Sequence, residues 1–399
     1  MAINIEMKRN YFEESVDLHR KLKGKLSIVS KTEITSMEDL AVVYSPGVAQ
    51  PCIEISRDIS LAKELTIKAN TVAIVTDGSA VLGLGNIGAE AAIPVMEGKA
   101  ILFKEFAGID AFPICIRTQD TAEIIQTIKN ISPVFGGINL EDIQAPKCFE
   151  IEDSLQSLGI PVFHDDQHGT AIVLLAALMN ACKVTNKKLS DLKIVINGSG
   201  AAGVAILKLL KCIDYDANYC TPVRDVIMCD TLGIISRDRK DLNTSKKELL
   251  KFSNKNNLNG TVNDALVGAD VFIGVSSGNL LTAEDIQTMY KDPIVFAMAN
   301  PTPEIMPEEA YKGGAAVVGT GRSDLPNQVN NVLAFPGIFK GALRAKANRI
   351  TNEMKLAAAI ALSEMVAEPS REHLLPNALD KSVPERIADA VEEAWEKQF

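Results

Sequence analysis

The sequence predicts an α/β protein of two domains: an N-terminal α/β domain over residues 1–160 and a C-terminal doubly wound parallel sheet of the Rossmann type over residues 161–399. Three observations support this prediction. Short apolar runs such as TVAIVTDG and AFPICIRT alternate with helical patterns such as AEAAIPVMEGKAILFKEF. Beyond residue 190 the runs KIVIN, DVIMCD, DVFIGVS, IVFAMAN and AAVVGTG recur between helices. A glycine-rich turn directly follows KIVIN, as in dinucleotide-binding βαβ units.

Composition excludes several classes of protein. The chain has 399 residues, 47% of them hydrophobic and 23% charged, which is the balance of an ordinary globular protein with more than one domain. The net charge is −10, and no block of Lys and Arg stands apart from the acids. We therefore expect small-molecule partners, and neither nucleic acid nor a membrane.

The N-terminus and the cysteines indicate a cytoplasmic protein. The first twenty residues lack the apolar stretch of a signal peptide, and the longest apolar run, residues 171–179, is too short to span a bilayer and reads as a buried helix. The seven cysteines form no C-x-x-C pair, which predicts reduced thiols with structural roles. They are Cys52, Cys115, Cys148, Cys182, Cys212, Cys220 and Cys229.

Most strands of the N-terminal domain are followed by polar residues. Glu141 and Asp142 follow one apolar run and Asp165 and Asp166 another, and ligands collect at the carboxyl ends of strands in open α/β sheets. Such hard oxygen ligands suit Mg²⁺ or Mn²⁺, although adjacent carboxylates on loops are more often solvated turns.

Tyr44 and Lys99 lie in apolar stretches of the same domain, LAVVYSPGVAQPC and PVMEGKAILFK. Desolvation there would lower the pKa of Lys99 towards the working range of a base. Taken singly, each has a simpler interpretation: a tyrosine with an ordinary buried hydroxyl bond, and a lysine whose stem lies along apolar surface.

The domain boundary falls between residues 160 and 189, and the fingerprint G-x-G-x-x-G follows it. The turn of Gly198, Ser199, Gly200, Ala201, Ala202 and Gly203 leaves one strand and opens a helix, and Asp230 ends the next strand. This pattern places a pyrophosphate at the helix N-terminus and an acid on the ribose hydroxyls. Ser276 and Asn300 follow later strands and are further candidates for cofactor contact. The same pattern at residues 83–88 lacks an acid at the right distance and is interpreted as a tight turn.

Eight motifs together give the sequence a family resemblance. In order they are YSPGVA, TDGSAVLGLGNIG, EGKAILFK, FGGINLEDI, FHDDQHGTA, INGSGAAG, MANPTPE and NNVLAFPG. From about Leu40 to Leu343 the chain resembles the malic enzyme family, in its compact bacterial form. The resemblance implies oxidative decarboxylation of (S)-malate to pyruvate and CO₂ with NAD or NADP and a divalent cation.

The resemblance also implies roles for single residues. Glu141, Asp142 and Asp166 would hold Mg²⁺ or Mn²⁺, which polarises the C2 oxygen as a Lewis acid. Lys99 would take the proton of the C2 hydroxyl, and Tyr44 would give a proton to C3 of the enol.

Further roles belong to residues around this set. Asp165 would tune the base by a hydrogen bond, and Asn300 and Asn331 would hold the substrate carboxylate. One position departs from the long-form members: Ala80 stands where they carry an arginine, so a clamp on malate from that position is absent.

Alternatives remain open at this stage. An amino-acid dehydrogenase shares the domain order, but reductive amination needs no metal. A metal-dependent oxaloacetate decarboxylase or a malolactic-type lyase would use the same carboxylates. A non-enzymatic binding module would have no need of the tyrosine, lysine and carboxylate set.

Two expectations concern the cofactor and the assembly. Asp230 favours NAD because a carboxylate would repel a 2′-phosphate, and the nearest cations, Arg237 and Arg239, lie beyond Ile234 and Ile235, which are expected to carry the chain away. The N-terminal arm has apolar positions that could pack on a second subunit, which favours a homodimer with Tyr44 or Lys99 close to its interface. Those positions are Tyr11, Phe12, Val16 and Leu18.

Overall fold

The computed structural model describes residues 10–217 and 220–398. Its first sheet has four parallel strands whose side chains are mostly buried on both faces, as their Val- and Ile-rich runs require. The strands are β1 (Thr71–Thr76), β2 (Asp110–Cys115), β3 (Gly137–Leu140) and β4 (Val162–His164), and their spatial order is β2-β1-β3-β4.

Between residue 10 and the last strand of this sheet lie seven helices. They are α1 (Tyr11–Leu22), α2 (Met37–Val43), α3 (Ala49–Arg57), α4 (Ala62–Leu65), α5 (Ala89–Leu102), α6 (Thr121–Ile131) and α7 (Lys147–Leu155). The helices α5 to α7 each bury apolar residues against the sheet, whereas none of the residues of α1 to α4 is buried. The segment before β1 therefore lies on the surface of this chain.

The next helix, α8 (Asp165–Thr185), joins the two halves of the molecule and contains the buried helix predicted over residues 171–179. Among the described residues it is the one helix long and apolar enough to cross a bilayer. Of its most apolar 18-residue stretch, 67% is buried inside the protein. It packs on helices of the second domain, which is the arrangement of a core helix.

The second sheet is the predicted doubly wound sheet, with helices on both faces. Its strands are β5 (Lys193–Asn197), β6 (Asp225–Asp230), β7 (Gly233–Ile234), β8 (Val271–Gly274), β9 (Ile294–Ala297) and β10 (Val317–Thr320), in the order β10-β9-β8-β5-β6-β7. Five strands are parallel, and the short β7 returns antiparallel along β6.

Eight further helices lie in the described part of the chain after α8. They are α9 (Ala201–Leu210), α10 (Thr244–Leu249), α11 (Val262–Leu266), α12 (Ala283–Gln287), α13 (Pro307–Lys312), α14 (Phe335–Arg344), α15 (Asn352–Glu364) and α16 (Ser382–Glu396). Phe335 and Phe339 of α14 pack on Phe103 of the first domain, with ring centroids 4.7 and 5.4 Å away, so one apolar core spans both domains.

Two expectations about the fold need correction. The strand β4 pairs with β3, so the first sheet extends to His164 and the boundary at residue 160 lies too early. Cys212 and Cys220 form a disulfide, contrary to the prediction that all seven cysteines are reduced. The loop after α9 folds back, with the Val223 N–H donating to the Leu210 carbonyl at 3.0 Å, and this return brings the two cysteines together.

Candidate active site

A cleft of about 800 Å³ runs between the two domains and collects most of the candidate residues. Strand ends and loops of the first domain supply its charged wall, and the glycine turn and later strand ends of the second domain face that wall. The candidates that line the cleft are Lys99, Glu141, Asp142, Asp166, Gly200, Ala201, Ala202, Ser276, Asn300 and Asn331.

Three carboxylates on this wall form a cluster suited to a divalent cation. Glu141, Asp142 and Asp166 each place one oxygen within 4.8 Å of the others. The Asp142 N–H donates to Asp166 Oδ2 at 2.8 Å, while Asp142 Oδ2 is buried without a hydrogen-bond partner among the described residues. Asp142 also has a φ of +53°, a strained conformation of the kind that functional sites retain.

The electrostatics of the cluster favour the same ligand. Burial, together with the neighbouring carboxylates of Asp166 and Glu141, raises the pKa of Asp142 to about 9. Burial likewise raises the pKa of Asp166 and of Glu141. Three anions at this spacing repel one another, and a hard divalent cation would offset that repulsion, so the residues fit Mg²⁺ or Mn²⁺.

Lys99 projects from α5 into the same wall. Its Nζ lies 2.8 Å from Glu141 Oε1, contacts the carboxylate of Asp165, and sits 4.2 Å from the centroid of the Phe335 ring. Burial lowers the pKa of Lys99, but the carboxylates of Asp165 and Glu141 outweigh burial and hold the pKa above its usual value. The predicted lowering is therefore wrong for this arrangement, because the sequence pattern showed the apolar surroundings but not the two carboxylates.

Asp165 is the first residue of α8 and is completely buried. Burial raises its pKa, which the contact with Lys99 opposes. A Cβ at Gly169, one helical turn later, would lie 1.8 Å from Asp165 Oδ1. The glycine of FHDDQHGTA thus makes room for the carboxylate that faces Lys99.

The second glycine fingerprint forms the expected turn between β5 and α9. Gly198 has a φ of +129°, and a Cβ at Gly203 would lie 1.9 Å from the Gly198 carbonyl oxygen. Ser199 lies between them in the turn, and Gly200 has no side chain to cap the helix. The first N–H groups of α9 therefore remain available to an anionic ligand in the cleft.

The first fingerprint is a turn in which a glycine permits close approach of two backbones. A Cβ at Gly83 would lie 2.2 Å from the carbonyl oxygen of Asn300, on the facing domain. Ala80 lines the cleft beside this turn, and its N–H donates to the Asp142 carbonyl at 3.0 Å. Among the described lining residues, Lys99 is the one cation, so no arginine stands in for the one absent at Ala80.

Asp230 lies at the end of β6 in surroundings that the sequence did not predict. The hairpin of β6 and β7 turns the chain back. Arg239 then forms a bidentate ion pair with Asp230, with Nη1 2.8 Å from Oδ1 and Nη2 3.0 Å from Oδ2. Lys246 contacts the same carboxylate at 2.5 Å. Arg237 instead donates to backbone carbonyls of Asn254 and Leu250. The expectation that Ile234 and Ile235 carry the cations away is therefore wrong for Arg239.

Tyr44 lies away from the cleft, whereas Lys99 lines it and Asp165 contacts Lys99. It caps the C-terminal end of α2, its side chain is 68% exposed, and it is absent from the described residues that line the cleft. The prediction that Tyr44 is embedded in apolar surroundings is therefore wrong within one chain, because the apolar residues beside it, Val42 and Val43, are exposed as well.

Sequence reasoning missed residues that hold the charged wall in place. Asn139 Nδ2 donates to Glu141 Oε2 at 2.9 Å, and its position in GGINLED, two residues before the carboxylates, is a signal that could have identified it. Asp77 accepts a hydrogen bond from Ser79 and contacts Lys147, while Ser79 Oγ accepts from the Gln144 N–H at 2.9 Å. This network braces the loop after β3 and has no local sequence signal.

The chain is similar to known proteins over almost its whole length. The model of the malic enzyme N-terminal domain matches residues 23–123 and 117–156, and that of the malic enzyme NAD-binding domain matches residues 167–394. A bifunctional malic/malolactic enzyme of Bacillus subtilis is 55% identical over 96% of this chain and 92% of its own length. An NADP-dependent malic enzyme of Halomonas elongata is 44% identical over 96% of this chain and 93% of its own length.

A solved structure gives the same result. The NAD-dependent malic enzyme of Thermotoga maritima is 48% identical, with a TM-score of 0.90 over 94% of this chain and 98% of that one. The two matching domain models, the full-length relatives and the acidic cleft agree, and the chain belongs to the malic enzyme family.

Proposed function

We propose that this protein catalyses the metal-dependent oxidative decarboxylation of (S)-malate to pyruvate and CO₂, with NAD as its preferred acceptor. The observation that carries the proposal is the meeting of Lys99, Asp165 and three carboxylates on the wall opposite the Gly198–Gly203 turn. This arrangement supports a base, a cation site and a dinucleotide site in one cleft.

The two bound groups supply chemistry that side chains cannot. A divalent cation held by Glu141, Asp142 and Asp166 supplies Lewis acidity at the C2 oxygen. A nicotinamide cofactor held at the Gly198–Gly203 turn would supply a hydride acceptor for C2.

The chain supplies the proton transfers. In our proposal Lys99 receives the proton of the C2 hydroxyl, so it must first lose its own. Glu141 is both a candidate metal ligand and a partner of Lys99. If that carboxylate bound a cation instead, Lys99 would lose one of the carboxylates that oppose its deprotonation, with Asp165 and Asp166 remaining, and would become a better base. The side chains of Asn300 and Asn331 hold the substrate carboxylate without adding charge.

The cofactor preference depends on the pocket around Asp230. Its carboxylate accepts from Arg239 twice, from Lys246 and from the Leu232 N–H, which uses about four acceptor positions, the capacity of a carboxylate. A ribose hydroxyl must displace one of these donors, and Lys246, on a flexible stem, is the easiest to displace. The two cations also reduce the repulsion of a 2′-phosphate. We therefore propose that NAD is preferred and that NADP is also accepted.

We propose that the functional unit is a homodimer in which Tyr44 enters the cleft of the partner chain. Of the described residues, those from 10 to 67 include Tyr11, Phe12 and Ile28, which are 63%, 80% and 86% exposed. Such a concentration of exposed apolar side chains is typical of a protein interface. Tyr44 is exposed among apolar residues and does not line the cleft of its own chain. A second copy of this chain explains both observations, since it would cover the apolar surface and receive the tyrosine in its cleft.

A malolactic activity is the second candidate, because the relative from Bacillus subtilis is a bifunctional malic/malolactic enzyme. A steady-state assay with malate and Mn²⁺, run separately with NAD and NADP, tests both candidates. Formation of reduced nicotinamide in equal amount with pyruvate supports the malic reaction. Lactate without net reduced nicotinamide supports the malolactic one, and oxaloacetate decarboxylation without malate oxidation would contradict both.

A further inference from the structure

A buried carboxylate outside the charged wall joins two loops of the dinucleotide domain. Glu304 has no solvent-exposed surface and lies in the loop after β9. Its Oε1 accepts from the Ser276 N–H at 3.0 Å, and its Oε2 accepts from the Ala299 N–H at 3.1 Å. One side chain therefore connects the loops that follow the adjacent strands β8 and β9.

The same connection reaches a third strand end. Asn197, the last residue of β5, donates from Nδ2 to Ser276 Oγ at 2.8 Å. The carboxyl ends of β5, β8 and β9 are thus tied together where the cleft holds Ser276 and Asn300. In a doubly wound sheet this edge is where a dinucleotide lies.

The surrounding backbone is built to receive this carboxylate. A Cβ at Gly274 would lie 2.2 to 2.6 Å from the Glu304 carboxyl atoms, so only glycine at the end of β8 leaves space for it. The N–H groups of Leu280 and Leu281 donate to the Glu304 carbonyl, which fixes the backbone of the glutamate as well. Burial raises the pKa of Glu304, and the N–H donors of Ser276 and Ala299 oppose that shift.

We propose that Glu304 is a positioning residue that sets the two loops carrying Ser276 and Asn300 for the dinucleotide. The inference rests on the proposed function, since it deepens the assignment of this edge as the cofactor site. Both carboxylate oxygens meet an N–H donor, which an ionised glutamate satisfies because it has only acceptors. Glutamine offers one acceptor oxygen and one NH₂ group. In Glu304→Gln the NH₂ group therefore meets the backbone N–H of either Ser276 or Ala299, and that hydrogen bond is lost.

The experiment compares Glu304→Gln with the wild type and with Glu308→Gln, a matched change at an exposed glutamate four residues along. NADH binding is measured by fluorescence titration, and amide hydrogen exchange is measured by mass spectrometry on the protein without cofactor. We expect Glu304→Gln to weaken NADH binding about ten-fold, the effect of losing a hydrogen bond to a charged group, and Glu308→Gln to leave it unchanged. Exchange should accelerate in peptides covering residues 275–278 and 299–303 but not across the chain, and Mn²⁺ affinity should stay within about two-fold.

A second variant covers the case in which Glu304→Gln does not fold. Gly274→Ala pushes a Cβ against the same carboxylate and should give the same pattern of exchange and weakened NADH binding. Unchanged NADH binding, or exchange that rises uniformly, would overturn the proposal and leave Glu304 with a general structural role. If the wild type binds no NADH, the proposed function fails, whereas the local exchange pattern still reports whether Glu304 holds the two loops.

Discussion

Mixing two inactive variants gives a direct test of whether Tyr44 acts in the partner's cleft. Tyr44→Phe removes the candidate proton donor, and Lys99→Ala removes the candidate base from the charged wall. If Tyr44 crosses to the partner, a hybrid dimer contains one complete site: the wall of the Tyr44→Phe chain with the tyrosine of the Lys99→Ala chain. If Tyr44 serves its own chain, both sites of the hybrid are damaged.

The expected recovery follows from the pairing of chains. The isolated hybrid has one intact site of two, so its activity should be about half of the wild-type value. In the unseparated mixture of equal amounts, half of the dimers are hybrids, so activity should rise to about a quarter. Each variant alone should remain about 10²- to 10⁴-fold below wild type, the range for loss of an acid or base. The assay is malate-dependent reduction of NAD with Mn²⁺, after differently tagged variants have exchanged subunits and the hybrid has been isolated with both tags.

A matched mixture controls for non-specific rescue. Lys99→Ala and Asp165→Asn both damage the wall of their own chain, since the two side chains are in contact, so their hybrid should stay inactive. Hybrids of Tyr44→Phe and Lys99→Ala that form but recover nothing would refute the partner assignment. A fully active monomer by light scattering would refute the dimer itself.

Three further predictions follow from the same geometry. Exhaustive treatment with EDTA should abolish turnover, and added Mn²⁺ or Mg²⁺ should restore it. The far-UV circular dichroism should stay unchanged, because Glu141, Asp142 and Asp166 lie on a cleft wall. Full activity after chelation would contradict the cation site. Lys246→Ala should raise the ratio of kcat/KM for NAD to that for NADP several-fold, because it frees an acceptor on Asp230 for a ribose hydroxyl and removes a cation that would attract a 2′-phosphate. A lower ratio would contradict the proposed role of Asp230 and Lys246 in cofactor preference. Added dithiothreitol should leave kcat unchanged within about two-fold, because the disulfide of Cys212 and Cys220 closes a loop beyond α9 and lies outside the cleft; a large loss would show that this loop matters for turnover.

The part of the site that the sequence predicted is the part that follows from parallel sheets. Glu141 and Asp142 follow β3, and Asp165 and Asp166 follow β4, its neighbour in the same sheet. Neighbouring parallel strands end at one edge, so residues 24 positions apart in the chain meet there without any knowledge of side-chain packing. The glycine turn after β5 follows from the same rule, since its residue types are fixed by local backbone geometry.

The remainder depends on contacts that a local pattern does not contain. Arg239 returns to Asp230 through a two-residue antiparallel strand, which has too few residues to show a period. Cys212 and Cys220 meet because a loop folds back on α9, whereas their spacing in the sequence matches no disulfide pattern. Glu304 carries no signal of its own in MANPTPE, and its role is visible only when Ser276 and Ala299 are seen to donate to it.

Lys99 and Tyr44 lie in similar apolar sequence, yet Lys99 is buried and Tyr44 is exposed. Both lie in hydrophobic stretches, and hydrophobic sequence indicates that a surface is covered but not by what. Lys99 is covered by its own chain, with Phe335 on one side and carboxylates on the other, so burial and charge act on it together. The apolar residues around Tyr44 are exposed in this chain, and water contact on so many large side chains is costly. Covering that surface with a second copy of the chain would remove the cost and bring the proposed proton donor, Tyr44, to the cleft, so in our proposal stability and catalysis both require the dimer.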